Sequence, residues 1–99
     1  MEVRQTAAFR RWFGRLRDIR AQAHVVRRIE RAEGGHLGDA KALGEGLAEM
    51  RIHYGPGYRL YVAQRGARLL ILLCGGDKGS QAADIEAART MLKDYDDGA

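Results

Sequence analysis

A chain of 99 residues has room for one domain with a modest core, burying about two thirds of the surface its unfolded form exposes. With 45% hydrophobic and 30% charged residues it reads as globular rather than disordered, and no apolar run approaches the roughly 20 residues of a membrane helix. The net charge of +4 is uneven: eight arginines (10, 11, 15, 17, 20, 27, 28, 31) face Asp18 and Glu30 in the first third, whereas Asp94, Asp96 and Asp97 crowd the other end.

A local cationic field of that kind fits a phosphate backbone or an acidic protein as ligand. A solvated helix face in a chain that uses 14 arginines against 3 lysines is the plainer reading of the same residues. MEVRQTAAFRRW carries no apolar signal region, and the single Cys74 excludes an internal disulfide framework, so a reducing cytoplasm is the expected compartment.

In chain order, the pattern is helical first, extended second and helical at the end. MEVRQT alternates Val3 with polar neighbours and fits a short edge strand. From Ala7 to about Glu33, Phe9, Trp12, Phe13, Leu16, Ile19, Ala23, Val26 and Ile29 recur at three or four. Asp18 is a ready cap, so this stretch reads as two helices joined near Arg17-Asp18, the second ended by Gly34-Gly35. Residues 34–46, GGHLGDAKALGEG, read as a glycine-rich loop anchored by Leu37 and Leu43.

LAEMRIHY and YRLYVAQ alternate strictly and read as half-buried strands around Gly55-Pro56-Gly57, taken as a three-residue hairpin loop. Pairing Tyr54 with Tyr58 places Ile52 opposite Leu60 and Met50 opposite Val62. The same register places His53 opposite Arg59 and Arg51 opposite Tyr61 on an outward face. Tyr54 and Tyr58 go to the apolar side. RLLILLC is expected as a central strand covered on both faces, with Cys74 a small buried hydrophobe. The turn GGDKGS follows, a near miss to a phosphate loop. A short amphipathic helix carrying Ile85, Ala88, Leu92 and Tyr95 comes next, with Ser80 as its cap.

The patch offers cations, an imidazole and a phenol, a set suited to phosphate binding and proton transfer, and RNA cleavage through the 2′-hydroxyl makes use of both. That reaction needs a base, an acid for the leaving 5′-oxygen, and cations for the charge gathering on the phosphate. His53 supplies an acid or base near neutral pH, Arg59 and Arg51 phosphate clamps, and Tyr61 stacking or proton relay. His24, His36 and His53 are scattered over helix, loop and strand, without metal-ligand spacing, so no metal or other cofactor is expected.

Residues 44–86, GEGLAEMRIHYGPGYRLYVAQRGARLLILLCGGDKGSQAADIE, resemble the core of the addiction-module killer proteins. These are HigB-like toxins of host-inhibition modules within the RelE/ParE superfamily of ribosome-associated, mRNA-cleaving proteins. The pattern GxxExRxxYGPGYRxY and the stretch GGDKxxQxxDI carry the likeness, together with the helical N-terminal segment and Gly-Asp before the first core strand.

The resemblance implies one toxin domain over residues 1–99, of α+β class, with two N-terminal helices packed on a small twisted antiparallel sheet and a short C-terminal helix. It implies a type II toxin acting as a ribosome-dependent mRNA endonuclease without metal, and neutralised by a co-encoded helix-turn-helix (HigA-like) antitoxin that carries the operator contact. On it, Arg59, Arg51, His53 and Lys78 are the expected catalytic residues, and Tyr61, Gln81 and Arg68 the expected RNA contacts. The competing expectation is a non-catalytic RNA- or ribosome-binding protein, or a degenerate toxin that only binds its antitoxin and operator complex.

Overall fold

A computed structural model describes residues 1–97. The chain runs β1 (Glu2–Gln5), α1 (Ala7–Gly14), α2 (Ile19–Glu33), β2 (Ala40–Gly44), β3 (Leu47–Ile52), β4 (Tyr58–Arg65), β5 (Leu69–Gly76), a short 3-10 turn (Lys78–Ser80) and α3 (Gln81–Asp97). The five strands form one sheet in the order β1-β5-β4-β3-β2.

This corrects the expected architecture. A strand precedes the two helices, and it runs parallel to β5, with Val3 beside Leu70 and Gln5 beside Leu72, so the sheet is mixed rather than antiparallel. The physical reason is that β5 is interior and offers a second edge. Glu2 N–H donates to the Arg68 carbonyl at 2.7 Å, and Thr6 N–H to the Leu72 carbonyl at 3.1 Å. The sheet centre is β4, and the run 68–74 belongs to a strand one place off centre. Residues 34–46 are not all loop: Ala40–Gly44 pair antiparallel with β3 as the outer edge strand. The last helix is long, 17 residues.

The helices cover both faces of the sheet. On one side, Phe9 of α1 and Val25 and Ala32 of α2 pack with Met50, Ile52, Leu60, Val62, Leu70 and Leu72; Trp12, Phe13, Tyr54 and Tyr58 close over them. On the other, Ala88 and Leu92 of α3 pack on Leu47, Tyr61, Ala63, Ile71 and Leu73. Burying a leucine or isoleucine side chain fully contributes about 1.5–3 kcal/mol, so each layer is a substantial source of stability for a domain this small. Trp12 lies so close over Gly75 that no Cβ fits there.

Capping sets where the helices begin. Thr6 Oγ1 accepts from Phe9 N–H at 3.0 Å and donates to the Leu73 carbonyl at 2.6 Å, tying the start of α1 to β5. Asp18 caps α2, as its position between the two periodic runs implied: Oδ1 accepts from Arg20 N–H at 2.9 Å. Its Oδ2 accepts from the Tyr54 hydroxyl at 2.7 Å, which holds the Asp18 carboxyl below the usual range and pins the β3–β4 turn to α2. No described helix is long and apolar enough to cross a membrane.

Candidate functional site

The alternation in LAEMRI and YRLYVAQ assigns the faces correctly, but the register lies two residues from the expected one. Ile52 pairs with Tyr58, Met50 with Leu60, Arg51 with Arg59 and Glu49 with Tyr61. His53 and Tyr54 fall outside the ladder, and the turn closes through Gly57 N–H to the Tyr54 carbonyl at 3.1 Å. Gly57 has φ of +79° and sits against Arg59 and Lys78, so a side chain there is both strained and crowded.

The face expected to be open to solvent is roofed by α3, and this changes the role of several residues. Tyr61 is fully buried and does not offer its ring to a base. Its hydroxyl donates to Glu49 Oε2 at 3.3 Å. Burial, then the Glu49 charge, pushes the phenol far above its ordinary value, so it stays protonated and is no proton relay at neutral pH. Glu49, with its side chain 1% exposed, is the hub of this layer. Gln81 Nε2 donates to its Oε2 at 2.8 Å, Arg51 Nε to its Oε1 at 3.1 Å, and Arg59 Nε lies 3.7 Å from Oε2. Desolvation alone would raise the Glu49 carboxyl; the bonds from Gln81 and Arg51, the Arg59 charge and the Tyr61 hydroxyl outweigh it and hold the group below the usual range.

Arg59 is therefore a largely sequestered cation rather than a solvated one. Its side chain is 14% exposed, with Nη1 donating to the Gly57 carbonyl at 2.8 Å. With His53, Tyr54, Gly55, Pro56, Gly57 and Lys78 it lines an open cleft of about 390 Å³. Lys78 reaches this cleft from the turn after β5. Asp77 holds that turn by accepting from Gly79 N–H at 2.8 Å and Ser80 N–H at 3.2 Å. The Asp77–Ser80 capping box, rather than Ser80 alone, leads into α3.

His53 is exposed, and its Nε2 shares a hydrogen bond with Asp39 Oδ2 at 2.5 Å. That bond is the leading cause of the lowered Asp39 carboxyl. Asp39, in the stretch read as loop, belongs to the Gly-Asp pair noted before the first core strand, but the sequence reading assigns it no site role. Its position is set by Arg28, which donates to the carbonyls of Arg51, Leu37 (2.7 Å) and Asp39 (3.0 Å). Arg28 thus leaves the surface field and serves as an internal strut; burial lowers its pKa.

Of the seven expected site residues, the structure gathers Arg59, His53 and Lys78 at one cleft. Arg51 and Gln81 are held behind it on Glu49, and Tyr61 is buried beneath. Arg68 stands apart, exposed in the β4–β5 turn at the far end of that hairpin. Cys74 is half-buried, its thiol pushed up to about 12 by burial and by Asp84, which leaves no reactive thiolate at neutral pH.

No family model matches the chain, and no solved structure matches it. A Haemophilus influenzae protein described as uncharacterized is 38% identical over 94 residues, covering 95% of each chain. An identity of that size across nearly the whole of both chains means that this chain belongs to the family of the Haemophilus influenzae protein.

Proposed function

We propose that this protein is the toxin of a type II toxin–antitoxin module: a cytoplasmic, metal-independent endoribonuclease that cuts mRNA on the ribosome and is held in check by a co-encoded helix-turn-helix antitoxin. The observation that carries this reading is the cleft in which His53, Arg59 and Lys78 meet around the Gly-Pro-Gly turn. The GxxExRxxYGPGYRxY pattern supplies Arg59 and the GGDK turn supplies Lys78, while His53 stands at an open position of the pattern, directly before YGPGYR.

In the proposed reaction the 2′-oxygen attacks the adjacent phosphorus while the bond to the 5′-oxygen breaks. One proton leaves the 2′-hydroxyl and another reaches the departing 5′-oxygen, giving a 2′,3′-cyclic phosphate. Arg59 and Lys78 balance the charge on the phosphate oxygens, and His53, steadied by Asp39, moves a proton. Arg51 acts one step back, holding Glu49 and through it the Arg59 guanidinium.

A second reading, RNA binding without cleavage, draws on one feature: among the described residues His53 is the only imidazole lining the cleft, whereas cleavage moves two protons. Expression without the neighbouring antitoxin gene separates the two. Growth arrest with newly cut transcripts, reversed by the neighbour's product, is the expected result. Arrest with intact transcripts selects the binding reading, and normal growth at confirmed soluble expression overturns the toxin reading.

The proton carrier is tested separately. His53→Ala is expected to lower cleavage by about 10²-fold or more and to remove one limb of the pH–rate profile. Asp39→Asn should act in the same direction by a smaller factor. A small loss with an unchanged pH profile would show that His53 only positions the RNA.

A further inference from the structure

We infer a second phosphate-binding site on the outer face of α2, formed by Arg20, His24 and Arg27, which takes the backbone of the same single-stranded RNA beyond the first cleft; this rests on the RNA reading of that cleft. Residues 20, 24 and 27 are spaced i, i+4, i+7 and so share one helix face. All three are exposed and, with Ala23, line a shallow depression of about 160 Å³. Among the described residues none of them has a carboxylate at ion-pair distance. Asp18, the anion beside Arg20, spends its two oxygens on capping α2 and accepting from Tyr54.

Position makes these cations more than a solvated stripe. Tyr54 lines the first cleft, and its ring lies against that of His24, with centroids 4.5 Å apart and planes tilted by 34°. The two depressions therefore adjoin across this aromatic pair, with Arg59 and Lys78 on one side and Arg20 and Arg27 on the other. Cations on both sides of an aromatic step suit a single strand, whose phosphates bond to the cations while a base rests on the rings. An acidic protein would match the charge, and polyglutamate serves as its probe.

The test uses 2′-O-methylated single-stranded RNA, which binds but has no 2′-hydroxyl to attack, and compares the parent with the Arg20→Gln/Arg27→Gln double variant. Removing two phosphate partners of a single strand should flatten the slope of log K against log[salt] by about 1.4 and weaken binding about 25-fold at 0.1 M salt. The gain in affinity on lengthening the strand from two to six nucleotides should also disappear. Both side chains are exposed, so thermal unfolding should be unchanged.

An unchanged slope and affinity in the folded double variant overturns the site. So does a loss confined to polyglutamate, which would assign the stripe to an acidic protein. If the slope falls but the parent cuts no RNA, the site stands and the cleavage reading fails. If the parent cuts RNA and the slope holds, the reverse is true.

Discussion

Arg59→Ala is expected to reduce cleavage of a ribosome-bound message by about 10²-fold or more while leaving binding of the antitoxin in place. That magnitude follows from removing one preorganised charge partner of a phosphoryl transition state. Preorganisation is visible in the geometry: Nη1 is held by the Gly57 carbonyl, Nε lies 3.7 Å from Glu49, and the side chain is largely sealed from water. The same burial means that the substitution is not silent for stability. Removing a charge-assisted hydrogen bond inside the protein costs about 1.5–3 kcal/mol, so cleavage must be compared at a temperature where both proteins are folded. Arg59→Lys keeps the charge but not the fork, and should restore folding better than activity. An alanine variant shown to be folded by near-ultraviolet circular dichroism, yet as toxic and as active as the parent, would remove Arg59 from the mechanism.

The sequence disclosed the helices well because their signals are local. Phe9, Trp12 and Phe13 repeat at helical spacing, and Asp18 stands where a cap is needed. Strand faces were equally legible, since alternation at β3 and β4 assigns Met50, Ile52, Leu60 and Val62 to one side whatever the register. The register itself was not, because a shift of two residues returns every side chain to the same face. The wider turn goes with contacts outside the hairpin, where Tyr54, off the ladder, bonds Asp18 and lies against the His24 ring. β2 escaped notice because AKALG is a short edge strand with two alanines and a glycine, and its pairing with β3 is a tertiary fact.

The covering of the second face had a readable sign that the outward reading of β4 overlooked. LLILLC is apolar on both sides, and Leu47, Tyr61 and Ala63 continue the α3-facing side across β3 and β4. A sheet with two apolar faces requires two layers of helix, and the residues beneath the second layer are not at the surface. That is why a patch read as four solvent-facing groups resolves into a cleft with Arg59, His53 and Lys78 at its wall and a buried network behind it.

Glu49→Ala is expected to be the most destabilising single change in this network, by about 3–5 kcal/mol in chemical denaturation. Truncation leaves Arg51 and Arg59 without their shared anion, and the Tyr61 hydroxyl and the Gln81 amide without the oxygen they donate to. Glu49→Gln preserves shape and one acceptor, and should recover part of that loss; it also isolates the charge. Because the folded state holds the Glu49 carboxyl below its ordinary value, its contribution is complete above the unfolded-state pKa and is lost as pH falls through the folded one. The parent should therefore lose stability on acidification through that window more steeply than Glu49→Gln, whose amide does not titrate. Equal stability of parent and Glu49→Gln at neutral pH, with identical acid profiles, would show that the carboxylate contributes nothing beyond filling space. Should the difference appear, cleavage by Glu49→Gln must fall as well even where the protein is folded, since the Arg59 fork then keeps the Gly57 carbonyl but loses the anion that aims its other edge.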